Sequence, residues 1–379
     1  MNNLSFWEIE SYIGKPDFVV AGAGIVGLST ALNLRRYFRR SSILVLERGV
    51  FPSGASTKNA GFACYGSLSE LASDLENHSL DEVLSLVEKR WKGLLRLREN
   101  LGDKNIDFRK KGGYEVFRSG DVSYDKAKKV FDEFNKHVGK ITGIRNVYKV
   151  ADNKLKSFGL KGFDHLIENT GEGQLDSGKM MKMLEMKARA SGIRIINGVQ
   201  IESYNEVPGA VMLHVNGGPP IRTKKLLITI NGFAKHLIPG ADVIPARAQV
   251  MITSVLSNLK LRGSFHFEDG FYYFRDVGNR VLIGGGRNLD LSSEQTDEFG
   301  ITTRIQERLE MILKENILHG KKFSIENRWS GIMGLGTRKS TIIKKLSARV
   351  YCGVRMGGMG VAIGSLVGEE LAQLIRKNA

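Results

Sequence analysis

Gly22-Ala23-Gly24-Ile25-Val26-Gly27 separates a short apolar run, Asp17-Phe18-Val19-Val20-Ala21, from a stretch of helical character, Leu28-Ser29-Thr30-Ala31-Leu32-Asn33-Leu34. The apolar run stops at glycines and reads as a buried parallel strand. Ile43-Leu44-Val45-Leu46 reads as a second strand, and together these pieces make one βαβ unit of about 30 residues. Each glycine then has a purpose. Gly22 permits the tight turn, Gly24 lets the backbone approach a pyrophosphate, and Gly27 lets helix pack close to strand. The phosphates sit against the free N–H groups and the positive end of the helix, beside Ile25 and Val26. Glu47 stands 20 residues past Gly27 (47 − 27), at the end of the second strand. A carboxylate there accepts from the ribose hydroxyls of a dinucleotide and repels a 2′-phosphate, which disfavours NADP. FAD and NAD both fit this much.

The chain around this unit has 379 residues, enough for two lobes. Two cysteines, Cys64 and Cys352, are too few for a disulfide scaffold, and neither lies in a redox motif. The opening residues are too polar for a signal peptide, and no apolar run is long enough to span a membrane. A cytoplasmic, soluble protein is expected. The net charge of +16 comes from scattered lysines and arginines, so it reads as a solvated basic surface with no nucleic-acid partner, and its field favours anionic small molecules. The seven histidines show no metal spacing, and there is no Gly-x-Ser-x-Gly elbow.

Further helices are expected over Leu80–Leu101, Lys126–Lys140, Gly178–Ser191, Arg304–Leu318 and Val361–Ile375. Met180, Met181, Met183 and Met186 read as a core face. Strand-like runs include Ile193–Ile196, Val211–Val215, Leu226–Ile230, Val250–Thr253, Phe271–Phe274, Val281–Ile283 and Val350–Gly353. Nucleotide-type βα signals thus sit at both ends of the chain, around a middle richer in strands. The fold class is α/β, a three-layer Rossmann-type domain with an inserted mixed-sheet (α+β) substrate domain. The dinucleotide domain is expected over residues 15–70, 170–240 and 326–379, and the substrate or cap domain over 71–169 and 241–325.

Two segments tip the cofactor towards FAD. Gly54-Ala55-Ser56-Thr57-Lys58-Asn59-Ala60-Gly61-Phe62 follows the second strand almost at once. Arg355-Met356-Gly357-Gly358-Met359-Gly360-Val361 leads from a late strand into the last helix. Such a glycine-rich turn frees a second set of N–H groups at a helix N-terminus, suited to a flavin's ring carbonyl or ribityl oxygens. With these landmarks, and with Glu47-Arg48, Gly173-Gln174-Leu175-Asp176, Asn231-Gly232 and Pro245-Ala246-Arg247-Ala248-Gln249 in order, the chain resembles the D-amino acid oxidase/glycine oxidase superfamily of FAD-dependent oxidoreductases over nearly its whole length. The resemblance implies an adenosine half held by Gly22, Gly24, Gly27, Glu47, Arg48 and the backbone of Val199. It implies Ser56, Thr57, Asn59, Ala60 and Gly61 beside the flavin ring, with Gly357, Gly358, Met359, Gly360 and Val361 capping its pyrimidine end.

The same resemblance implies an oxidation of a small substrate at a carbon–nitrogen bond, in an amine or amino acid, by hydride transfer to the flavin. The family clamps the substrate's carboxylate with an arginine in a Gly-x-Arg-Pro stretch. Here the matching stretch is Gly331-Ile332-Met333-Gly334, and a thioether cannot make a bidentate clamp. Arg275 and Arg355 are the expected substitutes, Arg287, Arg338 and Lys58 are further cations near the site, and Tyr272 or Tyr273 is expected to close it. A hydroxy-acid dehydrogenase using FAD, or an NAD-dependent dehydrogenase, remains open at this point, as does the electron acceptor.

Overall fold

The structure is a computed structural model that describes residues 4–378. A six-stranded sheet is assembled from distant parts of the chain, in the order Ile342–Lys345, Val350–Val354, Lys225–Ile228, Phe18–Ala21, Ile43–Glu47, Arg194–Asn197. Its pairings are parallel except at the Ile342–Lys345 edge. Strands covered on both faces must be apolar throughout, which is why Phe18–Ala21 and Val350–Val354 carry no alternation. Phe18 and Val20 join a core with the helices Ile25–Tyr37, Leu80–Leu101, Ser177–Ala190 and Gly360–Lys377. Val19 and Ala21 point the other way, onto a three-stranded antiparallel sheet of Ile201–Val207, Ala210–Val215 and Ile221–Thr223. The result is three layers of helices, parallel sheet and small sheet. Met180 and Met181 lie in the helical core, whereas Met186, expected on that face, is exposed.

An eight-stranded mixed sheet forms the second core. Its order is Ile325–Leu335, Ile244–Thr253, Arg280–Gly285, Tyr272–Val277, Ser264–Phe267, Gly113–Phe117, His165–Asn169, Tyr148–Val150. One face carries Tyr114, Phe265, Phe274, Ile283 and Met251, neighbours across successive strands, and is covered by Ile305, Leu309 and Ile312 of the Thr303–Ile312 helix. The opposite face presents Glu115, His266, Tyr273, Gly284 and Val250 in one cross-strand row. The Ile325–Leu335 strand corrects one expectation. It pairs with Ile244–Thr253 along its length, so this sheet runs on to residue 335, past the boundary expected near residue 326.

Glycine at position 27 is a steric requirement. A Cβ there would lie 1.9 Å from the carbonyl oxygen of Gly22 and 2.8 Å from Thr229 Oγ1. The last helix meets the first just as closely, since a Cβ on Gly368 would lie 2.8 Å from the backbone nitrogen of Thr30. Gly27→Ala is therefore expected to destabilise the fold by about 2–3 kcal/mol. Gly178→Ala, whose Cβ would meet only Asp176 Oδ1 at 3.3 Å, is expected to change stability by no more than about 0.5 kcal/mol. Urea unfolding midpoints of the two variants check this, and equal midpoints would contradict it.

Candidate active site

A cavity of about 700 Å³ runs between the two sheets, from the Gly22–Gly27 loop to the start of the last helix. At one end lie Gly22, Gly24, Ile25, Val26, Glu47, Arg48 and Val199. The Glu47 carboxylate accepts from the N–H of Ala23 at 3.0 Å and of Gly49 at 3.0 Å, so it is anchored at the end of its strand. The Val199 N–H donates to the Glu47 carbonyl at 2.9 Å. Arg48 stacks its guanidinium on the Phe233 ring, 3.7 Å from the centroid. Gly27 is absent from this wall because it serves helix packing.

The middle of the cavity is walled by Ser56, Lys58, Asn59 and Ala60. Ser56 Oγ accepts from the Ile25 N–H at 3.0 Å and ties this segment to the first glycine loop. Asn59 caps the short helix Ala55–Lys58 by donating to the Ser56 carbonyl at 2.7 Å, while its side-chain oxygen accepts from the Gly61 N–H at 2.8 Å. Thr57 points away and donates to the Pro52 carbonyl at 2.7 Å. Thr57 and Gly61 thus support the wall from behind rather than line it.

At the far end, Gly357, Gly358, Met359, Gly360 and Val361 open the Gly360–Lys377 helix. Gly357 and Gly358 both take positive φ, at 58° and 80°. The Met359 N-cap makes no side-chain hydrogen bond, so the first N–H groups of this helix remain available for a ligand. Met333 faces the same space, and a Cβ on Gly358 would lie 3.4 Å from its sulfur.

The three expected substrate residues lie elsewhere. Tyr272 is 1% exposed and packs in the aromatic core against Phe267, while Tyr273, its neighbour on the opposite face, reaches the cavity. Arg275 is 7% exposed, lies outside this cavity and is tied to the backbone. Its Nη1 donates to the carbonyls of Ala60 at 3.0 Å, Gly61 at 2.9 Å and Leu175 at 2.8 Å, and its Nε to that of Asp276 at 3.1 Å. Burial lowers its pKa to about 10, which leaves it a cation at neutral pH. Arg355 pairs with Asp242 and donates through Nε to the Ser340 carbonyl at 2.7 Å. All three are therefore corrected to structural roles by what their polar atoms or rings already touch.

Several groups on the wall carry no local sequence signal. His266 lies on it with Nε2 free of any hydrogen-bond partner, and burial lowers its pKa to about 4 despite the nearby Glu70 carboxylate. Phe62 and Tyr273 meet edge to face at 5.8 Å. Glu70 bonds Arg90 Nη2 at 3.1 Å and Lys339 Nζ at 3.1 Å, and Lys339 also reaches Asp74 at 2.6 Å. Burial alone would raise Glu70, but the two cations hold it down to about 2. Cys64 also lines the cavity, and burial, with the Glu172 and Glu70 carboxylates, pushes its thiol well up. Among the described residues no three His, Cys, Asp or Glu side chains converge as metal ligands, and no helix is long and apolar enough to cross a membrane.

Residues 17–374 match the model of the DAO family, described as FAD dependent oxidoreductase, and the chain belongs to that family. It is an FAD-dependent oxidoreductase. Solved structures share the fold across most of both chains. Glycine oxidase from Geobacillus kaustophilus superposes with a TM-score of 0.77 at 17% identity, covering 96% of this chain and 95% of that one. L-proline dehydrogenase from P. horikoshii gives 0.74 at 17% identity, covering 96% and 94%. L-amino acid deaminase from Proteus vulgaris, lacking its specific insertion sequence, gives 0.74 at 19% identity, covering 95% and 90%. No curated protein matches the sequence significantly.

A pH signature follows from the buried acids behind the wall. Glu172 is 1% exposed, and its Oε1 accepts from the N–H of Tyr65 at 2.9 Å and of Gly66 at 3.2 Å. Burial raises its pKa from 4.5 to about 8 against those two hydrogen bonds, so the folded chain holds this proton more tightly than the unfolded one. The group's contribution to stability therefore falls as pH climbs from about 4.5 to about 8. Glu172→Gln keeps an oxygen for both N–H groups. It is expected to melt at least about 2 °C above the parent at pH 8.5 and to match it near pH 4.5. A variant less stable than the parent at both pH values would refute this.

Proposed function

We propose that the enzyme oxidises a small amine or amino acid at a carbon–nitrogen bond, with FAD lying along the cavity. The observation that carries this reading is the convergence of two helix N-termini and the anchored Glu47 carboxylate on one continuous space. Glu47 would receive the adenosine ribose hydroxyls. With its N–H engaged, Val199 would meet the adenine through its carbonyl. The N–H groups of Gly24 and Val26 suit the pyrophosphate, Ser56, Asn59 and Ala60 the flavin's flank, and the N–H groups at Gly360 and Val361 its pyrimidine carbonyl. When bound, FAD supplies the two-electron acceptor for a hydride. On this reading the six-stranded sheet and its helices form the FAD domain, and the eight-stranded sheet is the inserted substrate domain.

The chain's own residues define what happens around that acceptor. Phe62, Tyr273 and Met333 exclude water from the reacting end. Neutral His266 and the Tyr273 hydroxyl offer hydrogen bonds that can orient a substrate amine without adding charge beside it. Cys64, held as a thiol, is unsuited to a covalent flavin link. Glycine oxidase, L-proline dehydrogenase and L-amino acid deaminase among the structures of like fold support the same bond class.

Purified protein is expected to be yellow, to release FAD on denaturation, and to bleach anaerobically with a member of a panel of amines, amino acids and hydroxy acids. Bleaching by hydroxy acids alone would overturn the carbon–nitrogen assignment, and a colourless protein that takes up no FAD would overturn the whole reading. Glu47→Ala is expected to weaken FAD binding by about 1–3 kcal/mol, because the ribose hydroxyls lose their acceptor. Titration of flavin-free protein with FAD measures this, and unchanged affinity would place the ribose elsewhere.

A further inference from the structure

Met333 leaves the cavity without a cation where the family's arginine would stand, yet one guanidinium on the wall is unspoken for. Arg287 is half-buried, lines the cavity, and has no hydrogen bond and no carboxylate within 4.0 Å among the described residues. The other cations on the wall suit a substrate carboxylate less well. Arg48 is stacked on Phe233 next to Glu47, at the end of the cavity with the first glycine loop, Lys58 carries a single ammonium in place of a planar fork, Lys339 is bound to Glu70 and Asp74, and Arg338 is on an exposed loop.

The backbone is shaped to put Arg287 there. The Arg280–Gly285 strand ends in two residues of positive φ, Gly285 at 112° and Gly286 at 80°. A Cβ on Gly285 would lie 1.9 Å from the Phe271 carbonyl oxygen, so only glycine allows the crossing. The chain then turns into the short 3₁₀ helix Arg287–Leu289, and the Arg287 guanidinium sits over the Phe271 ring, 5.4 Å from its centroid. Phe271 lies in the turn just before the Tyr272–Val277 strand, where it borders the cavity and also packs against the aromatic core, while Tyr273 faces the cavity and pairs with His266 on the next strand. Arg287, Phe271, Tyr273 and His266 thus follow one another along a single wall. Arg287 is half-buried just past the end of its strand, whereas Tyr273 and His266 lie within theirs, which sets Arg287 at the rim, beyond the polar pair.

We propose that Arg287 is the specificity-determining residue that binds the carboxylate of the substrate, in place of the arginine absent at position 333. This rests on the reading of the cavity as the site of amine oxidation. A guanidinium desolvated by the cavity wall and held against an aromatic face presents its N–H fork to a planar carboxylate with little reorganisation. Burial alone lowers its pKa, with no anion in the protein acting against it, so an incoming carboxylate meets no internal competitor. The substrate class is accordingly an amine that also bears a carboxylate, entering with its anionic end towards the rim.

The test uses FAD-loaded protein and unreactive probes. Linear carboxylates from acetate to hexanoate, and the uncharged amides of the same lengths, are titrated while the flavin absorbance is followed. At least one carboxylate is expected to perturb the spectrum saturably, and its amide to bind at least tenfold more weakly. Arg287→Met is expected to weaken the carboxylate at least tenfold while leaving amide affinity unchanged, and Arg287→Lys to recover part of the loss. Equal binding of carboxylate and amide, or an Arg287→Met variant that binds carboxylates like the parent, would overturn the proposal. The same titrations on flavin-free protein, read as thermal shifts, separate a failure of the anchor from a failure of the FAD reading. A carboxylate shift lost only in Arg287→Met supports the anchor with or without flavin, whereas a shift that survives in Arg287→Met counts against it.

Discussion

The contact between the Gly360–Lys377 and Ile25–Tyr37 helices leaves no room for side chains. Gly368 faces the backbone of Thr30, and a Cβ on Gly364 would lie 2.8 Å from Ile25 Cγ2. Both helices follow parallel strands of one sheet, so their N-termini emerge at the same edge. Close packing then brings two positive dipole ends, with the N–H groups that Ser56 leaves free, to one cavity. A ligand that spans them needs anionic or carbonyl oxygens at separated points, and a dinucleotide bearing a flavin has them. Enlarging either glycine would separate the helices and change the distance between the two oxygen sites.

Charge is used inside the protein mainly to join segments. Arg275 comes from the eight-stranded sheet and gathers carbonyls from the Ala60–Gly61 turn and from Leu175. Burying a cation is costly unless its N–H groups are satisfied, and here carbonyl oxygens do so without a carboxylate. The Glu70–Arg90–Lys339 group works differently, because paired opposite charges fasten the 336–341 loop to the helices beneath it. The cavity walls are therefore held by groups that cannot also hold a substrate, which is why so few polar atoms on them remain free.

Much of this was legible in the sequence where the signal is local. The strand, the glycine loop and Glu47 sit within a few dozen residues, and the Leu80–Leu101 helix follows from its apolar stripe. The Ile325–Leu335 strand was not, because Glu326, Asn327 and Arg328 break its pattern and glycines interrupt the rest. The choice between Tyr272 and Tyr273 turns on which face of one strand meets the core, and a single-residue step decides it. Arg275 looked available because its acceptors are backbone carbonyls far away in sequence, which no residue type announces. The Glu70–Lys339 ion pair joins positions too distant for any spacing rule.

The six-stranded sheet also has a history written into its order. Phe18–Ala21 lies between Ile43–Glu47 and Lys225–Ile228, and Val350–Val354 lies outside Lys225–Ile228. Ile43–Glu47 in turn pairs with Arg194–Asn197, so during synthesis the first βαβ unit emerges with both strand edges bare and one helix face uncovered. These edges wait while the intervening sheet is made, and the helix face is covered in full only when Gly360–Lys377 arrives. Such non-local closure is slow, and exposed edges invite association with other chains in the meantime. Assembly of the native layers is thus a late event, which waits for the Gly360–Lys377 helix to be made.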